Sequence, residues 1–352
     1  MLAAMFYAPM DIRLEEWPIP PVASGEVLVQ VAAATTCGTD VKCYRRGHPL
    51  LFRHPPEGFG HEVAGLVVAT GSGITGYCTG DRVAIANSSP CFQCFYCRRG
   101  QYSLCEDLFF LNGAYAEYIL VPERIVRHNL YHLPAQTSYI AAALAEPLAC
   151  ALHGIDASTI ARTSTVAILG AGPLGLLLTA VAKLRGAYVI LAGRGSERLA
   201  LGKRFGADSV LDVTGLSLQA QCNAIRAQTD ESRGADIVIE AVGVTETWEL
   251  AVDVVRPGGL VTFFGGCPSG THVSLETRPL HYSELTLKGV FHHTPAYFAQ
   301  ALELINGQHI DVEALITERV PLSSLLNVFE RLCQKEGIKY AIIPPAFEAS
   351  LL

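Results

Sequence analysis

What this chain lacks narrows its function before any motif is considered. Its opening stretch, MLAAMFYAPMDIRLEE, has no basic region followed by an apolar one, the layout of a secretory signal. That predicts a cytoplasmic protein. Its apolar runs are broken by Gly, Pro or charge, well short of the roughly 20 residues that cross a bilayer, so no membrane partner is expected. No block of Lys and Arg is present and the net charge is −7, which disfavours nucleic acid as a partner. No internal repeat and no low-complexity segment is found. What remains is a chain of 352 residues, half of them hydrophobic, enough for about two domains with substantial cores. Eleven cysteines without a sign of an oxidising compartment point to metal or redox chemistry rather than a disulfide framework.

Four of those cysteines, Cys91, Cys94, Cys97 and Cys105, fall in one loop, PCFQCFYCRRGQYSLC. Four thiolates so spaced can reach the corners of a tetrahedron, the geometry of a closed structural zinc site. Disulfides or inert core cysteines are the alternatives. The first wants an oxidising compartment, and the second does not suit cysteines clustered among Arg98, Arg99 and Gly100.

The pattern changes along the chain. To about residue 150, short runs such as EVLVQVAAA, HEVAGLVVAT, DRVAIAN and AEYILVP are separated by Gly, Pro and Asp, the punctuation of an all-β sandwich or barrel. From about 151 to 284, strand-like and helix-like segments alternate, which predicts a doubly wound parallel sheet. The tail, 285–352, is expected to return to the first domain. A zinc-holding lobe would occupy about 88–106.

The run Gly170-Ala171-Gly172-Pro173-Leu174-Gly175 leaves the strand-like TVAILG and opens an apolar helix. In that context Gly170 permits the tight turn, Gly172 the approach of a pyrophosphate and Gly175 close packing of helix on sheet. Phosphates would then meet the helix N-terminus. A merely structural turn is the alternative. At the end of the next strand-like segment, where an NAD site usually carries an acid for the ribose 2′-hydroxyl, stands Gly193. Arg194, Ser196 and Arg198 follow. With no carboxylate to repel a 2′-phosphate and Arg194 able to bond it, NADP is favoured over NAD. Arg194 could instead stack on adenine, pair with Glu197 or be solvated.

Three further segments carry metal-competent side chains: Cys37 in TCGTD, His61 and Glu62 in GHE, and Glu146 in AEPLAC. Three protein ligands and an open position describe a catalytic zinc. Pro147 suits a first helical turn and places Glu146 at a helix start, where the two domains meet. Spacing alone leaves other readings open, because a lone core Cys or His is usually structural and either glutamate could merely pair with an arginine.

Taken together and in this order, the C-G-T-D motif at Cys37, G-H-E at His61, the cysteine quartet, E-P-L at Glu146 and G-A-G-P-L-G at Gly170 resemble those of the zinc-dependent medium-chain dehydrogenases over essentially the whole chain. The polyol (sorbitol) dehydrogenase-like branch is the nearest, with threonine dehydrogenase-like enzymes beside it. The resemblance implies an α/β protein, a GroES-like β-rich catalytic domain (1–150 and 285–352) plus a doubly wound parallel (Rossmann) dinucleotide-binding domain (151–284). It implies two zincs per chain. Cys37 and His61 would bind the catalytic one. Glu62 would be a direct ligand or a neighbour of the ligands, and Glu146 would bind the metal or hold the water beside it. Asp40 would bond the second imidazole nitrogen of His61. Thr39 would contact the substrate oxygen and relay its proton. Lys42 stands where the family often has a histidine that completes that relay. The quartet's zinc would be structural and remote from the chemistry.

The reaction implied is reversible oxidation of a secondary alcohol, with a polyol, sugar or cyclitol as first choice. A simple alcohol or aldehyde reductase, or a threonine-type amino alcohol dehydrogenase, is the alternative enzyme. A dinucleotide-binding sensor is the alternative outside catalysis. Tyr44, Arg46, His48, Phe59 and His292 are candidates to line the substrate site; Tyr44 and Phe59 could instead be core, His48 a solvated loop residue, and His292 could face the cofactor or bridge subunits. A homodimer or homotetramer is expected, with 285–291 as a candidate contact.

Overall fold

Strand Val27–Thr35 organises the first part of the molecule. Eight of its nine residues are buried, so both of its faces are covered and its sequence reads as a nearly continuous apolar run. It pairs antiparallel with Glu62–Thr70 on one side and with Tyr118–Val121 and Lys339–Ile343 on the other. The full seven-stranded sheet adds Arg82–Ile85, Leu130–His132 and Ile316–Pro321. Register shifts between Leu28 and Val29 and between Val31 and Ala33 are bulges of the kind that bend and twist a strand. A smaller sheet joins Asp11–Glu16, Leu2–Ala8 and Glu57–Gly58. Phe6, Phe52, Phe59, Tyr115 and Phe329 share the core between these layers, with neighbouring ring centroids 4.3–6.0 Å apart.

The computed structural model describes residues 1–48, 51–52 and 54–351, and they form two compact units. One comprises Met1–Ala149 and Thr294–Leu352, the other Cys150–His293. The second is built on six parallel strands. Their order across the sheet is Ser209–Asp212, Tyr188–Gly193, Thr165–Leu169, Ala235–Glu240, Val255–Phe263 and Thr286–Gly289. The chain therefore starts in the middle, winds outward one way and then returns to wind the other, the order of a dinucleotide-binding sheet. The doubly wound parallel sheet read from the alternating segments is the one found. Thr286–Gly289 is hydrogen-bonded to Val255–Phe263 as the edge strand of this sheet, so residues 285–293 lie in the second unit and the return of the chain begins at Thr294. Among the described residues no helix is long and apolar enough to cross a membrane.

Candidate active site

The register of two strands assembles the first cluster. Thr35 ends its strand directly opposite Glu62, which begins the next. Cys37 and His61, just beyond that pair, are thereby brought together. Potential ligand atoms of Cys37, His61 and Glu62 lie within 4.8 Å of one another. Cys37 also caps helix Gly38–Arg46: its Sγ accepts from the Thr39 N–H at 3.4 Å, and the Asp40 carboxylate accepts from the Cys37 N–H at 3.0 Å. This is a capping box with a thiol in place of the usual hydroxyl. The sulfur therefore sits at the N-terminal, positive end of that helix.

Asp40 has a second task. Its Oδ1 lies 2.9 Å from Nδ1 of His61. A carboxylate is an acceptor only, so Nδ1 carries a proton and Nε2 is the ring nitrogen left to face Cys37 or a metal. Burial alone would lower the His61 pKa, but the Asp40 charge overrides it and holds the imidazole well above its ordinary value. Asp40 is itself buried, which would raise its pKa. The interactions with His61, Tyr115 and the Cys37 N–H bring it below the usual carboxylate range instead.

Glu62 is fully buried, and its two oxygens lie 2.7 and 2.6 Å from Nζ of Lys339, which is 1% exposed. Thr35 Oγ1 also donates to Glu62, and Lys339 donates to the Thr36 carbonyl. Strand Lys339–Ile343 is held in place by its pairing with Ala34 and Thr35 and by reciprocal bonds of 3.0 Å between Thr36 and Tyr340. Desolvation would lower the Lys339 pKa, but the surrounding Glu62, Cys37 and Glu146 raise it. Glu146, 6% exposed, lies in the first turn of helix Ala145–Ala157. Burial first, and then Glu62 and Asp40, push its pKa up to about 7 against the opposing pull of His61 and Lys339. Glu146 thus shares the electrostatic surroundings of the Cys37 cluster. Thr39 is half-buried in the first turn beside Cys37, and Lys42 is half-buried one turn on.

A cysteine sulfur, an imidazole whose Nδ1 is engaged by Asp40 and an adjacent carboxylate make a donor set that suits zinc. The quartet is a second such set. The four sulfurs lie within 4.8 Å of one another, with 3.9 Å between Cys91 and Cys97 and 4.0 Å between Cys94 and Cys105. Backbone N–H groups of Cys91, Cys94 and Cys97 point at sulfurs of Cys105, Cys91 and Cys94, at 3.2–3.5 Å. Against desolvation, such N–H groups bring the Cys94 thiol down to about 6, whereas desolvation and its thiol neighbours push Cys97 up to about 12. Four thiolates this close repel each other unless a cation sits among them, so the quartet fits a metal as a set.

In the second unit the glycine turn leads from strand Thr165–Leu169 into helix Pro173–Leu184, with Gly172 as N-cap and Pro173 in the first turn. Gly170 has φ 114°. A Cβ on Gly175 would collide with the Gly170 carbonyl, so the turn closes only with glycine at both positions. Leu174 is half-buried on the same turn. Gly193 ends the neighbouring strand against this turn, and a Cβ there would lie 2.7 Å from the Ala171 nitrogen. Arg194 and Ser196 are exposed and Arg198 is half-buried, with burial lowering the Arg198 pKa. Asp212 pairs across from Gly193 and feels the Arg194 charge.

The candidates for lining a substrate site differ in their surroundings. Phe59 is fully buried among Phe6, Phe52, Tyr115 and Phe329 and belongs to the core. Tyr44 packs against Phe329, with centroids 5.6 Å apart. Arg46 is exposed at the end of its helix, and His48 is half-buried just beyond it. His292 lies in the second unit, where its carbonyl is 2.7 Å from Nδ1 of His153. Lys339, Thr35 and Tyr115 were not singled out from the sequence. The one signal for Lys339 is a lysine opening the otherwise apolar run KYAII.

Comparison with known proteins agrees with this architecture. Residues 23–134 match the alcohol dehydrogenase GroES-like domain, and 173–307 match the zinc-binding dehydrogenase family. Sorbitol dehydrogenase of Bacillus subtilis (strain 168) is 30% identical over 353 residues, covering 98% of this chain and 97% of its own. D-xylulose reductase A of Aspergillus oryzae (strain ATCC 42149 / RIB 40) is 31% identical, with 94% and 93% covered. A protein of Sinorhizobium meliloti 1021 described as a zinc-binding dehydrogenase, solved bound to NADP, superposes with a TM-score of 0.88 at 31% identity, covering 97% of this chain and 99% of that one.

Proposed function

The chain belongs to the zinc-binding alcohol dehydrogenase family and is an oxidoreductase acting on an alcohol or polyol with NAD(P), and from that premise we propose which residues carry the reaction. Cys37 and His61 hold the catalytic zinc, with Glu146 as the third protein ligand. Glu62 is the other carboxylate at the site, and the Lys339 and Thr35 hydrogen bonds to it support a role as a neighbour that balances charge there. The chemistry supplied by the zinc, when bound, is Lewis acidity toward the substrate's hydroxyl oxygen. Thr39, beside Cys37, takes the hydroxyl proton and passes it on. Asp40 keeps His61 in the tautomer that leaves Nε2 to the metal. Gly170, Gly172, Pro173, Leu174 and Gly175 cradle the pyrophosphate at a helix N-terminus, and Gly193, Arg194, Ser196 and Arg198 surround the adenosine ribose.

The observation that carries this reading is the convergence of Cys37 and His61 on Asp40, a thiol and an imidazole oriented by one buried carboxylate. Absence of an acid at Gly193 and presence of Arg194 support NADP as the preferred cofactor, and the NADP bound in the S. meliloti relative agrees. The names of the relatives support a polyol or sugar-derived secondary alcohol as substrate. The quartet holds a second, structural zinc. The protein is proposed to work in the cytoplasm as a homodimer or homotetramer, with edge strand Thr286–Gly289 as a contact.

Initial rates on a panel of polyols, cyclitols and simple alcohols, each with NAD and NADP, test the reading. Turnover of polyols with NADP preferred is the expected result. A clear preference for NAD would overturn the Gly193–Arg194 argument. Turnover confined to simple aldehydes would overturn the substrate class, and an active Cys37→Ala or His61→Ala variant would overturn the metal assignment.

A further inference from the structure

Tyr115 is among the largest fully buried side chains of the protein, and its hydroxyl reaches Asp40, the carboxylate behind Cys37 and His61. The chain around it runs alongside the backbone that precedes His61. The Tyr115 N–H bonds the Phe59 carbonyl at 2.9 Å, the Gly113 and Ala114 N–H groups bond the Gly60 carbonyl at 2.9 and 3.1 Å, and the Tyr115 carbonyl accepts from Ala4 at 2.8 Å. Gly60 has φ 88°, and a Cβ on it would lie 2.5 Å from the Tyr115 ring. The ring can therefore slide under the residue next to His61 only because glycine stands there.

The hydroxyl donates to Oδ2 of Asp40 at 2.6 Å, with the Thr35 carbonyl at 3.2 Å as a weaker second acceptor. The same Oδ2 takes the Cys37 N–H at 3.0 Å, while Oδ1 faces Nδ1 of His61 at 2.9 Å. One carboxylate thus connects both metal-competent residues, and Tyr115 is its third tether. The ring's packing on Phe59 and Phe329 would be served equally by phenylalanine. The hydroxyl is what requires explanation, because a buried hydroxyl costs stability unless it is bonded.

We propose that Tyr115 is a positioning residue of the metal centre, its hydroxyl fixing the Asp40 carboxylate so that Cys37 and His61 are aimed at one cation. The proposal rests on the reading that Cys37 and His61 hold the catalytic metal. Partners behind metal ligands typically contribute about 10–100-fold in metal affinity or activity.

The test is Tyr115→Phe, made in the full-length protein and compared with wild type by three readouts. These are the rate at which each metal passes to a chromogenic chelator, the visible absorption of the cobalt-exchanged protein, and kcat and KM. Expected are release of the Cys37-dependent metal faster by about 10-fold or more, an altered cobalt band and a lower kcat, with release from the cysteine quartet unchanged as an internal control. On an Asp40→Asn background the same change should add little, because residues acting through one another are not additive. Wild-type release and an unchanged cobalt band in Tyr115→Phe would overturn the proposal, as would full additivity with Asp40→Asn. If the Phe variant does not fold, 3-fluorotyrosine at position 115 keeps the ring and alters the hydroxyl. A shifted cobalt band then supports the proposal, and an unshifted one overturns it. Cys37→Ser separates the two layers: if it removes no metal, the underlying site assignment fails, whereas a Cys37-dependent metal indifferent to Tyr115 removes only this inference.

Discussion

Lys339 and Glu62 form an ion pair that water does not reach, at 1% and 0% exposure. Removing two charges from water costs several kcal/mol per ion, recovered only with good geometry and further hydrogen bonds. Here both carboxylate oxygens meet the ammonium, Thr35 adds a donor, and the Thr36 carbonyl takes another ammonium proton. A pair this complete is harmful to break by halves. Lys339→Met is expected to destabilise the protein by about 3–5 kcal/mol, since it leaves a buried carboxylate without its cation. Combining it with Glu62→Leu should restore much of that loss. Denaturant midpoints of the two variants check this, and a single variant as stable as wild type would show that the pair is not sealed from water.

Among the elements, the glycine turn and its neighbouring strand show why cofactor choice cannot be altered one residue at a time. Gly193 stands where an NAD site carries its acid, so Gly193→Asp looks like a route to NAD. The geometry argues otherwise, because a Cβ at 193 would press on the Ala171 nitrogen and α-carbon at 2.7 and 3.1 Å, within the turn that meets the pyrophosphate. Gly193→Asp is therefore expected to weaken NADPH and NADH together. Arg194→Ala leaves the turn alone and removes a charge-assisted bond of about 1.5–3 kcal/mol, so it should weaken NADPH by roughly 10-fold or more and leave NADH nearly unchanged. Fluorescence titration of both dinucleotides separates these outcomes. A selective gain of NADH binding in Gly193→Asp would show that the turn yields.

The same elements show what could be read from the sequence. The parallel sheet was legible because its signals are consecutive: apolar strand, glycine turn, apolar helix, then the next strand. The surroundings of Cys37 were less so. Lys339 reaches Glu62 only through the pairing of Lys339–Ile343 with the end of Val27–Thr35, and Tyr115 reaches Asp40 only because its segment follows Phe59 and Gly60. No local motif encodes those long-range registers. Phe59, which adjoins a motif, proves to be core because its strand-end position points it toward Phe6 and Phe329.

For the whole molecule, the two donor sets proposed to hold metals predict different consequences when one of them is lost. A metal held by the quartet would be closed in by four thiolates, with no position for a substrate, and would serve to hold a loop with little core of its own: Phe92, Phe95 and Leu104 are exposed there. Binding at such a site is folding free energy for the segment it closes. The Cys37–His61 set instead sits on a sheet with an extended apolar core of its own. Metal analysis should therefore give two zincs per chain in wild type and one in each of Cys37→Ala and Cys94→Ser. Cys37→Ala should abolish turnover with melting changed little. Cys94→Ser should lower the melting temperature or the yield of assembled protein while the folded fraction still turns over substrate. If Cys94→Ser lost only turnover at unchanged stability, the quartet could not be structural, and the division of labour between the two metals would have to be reversed.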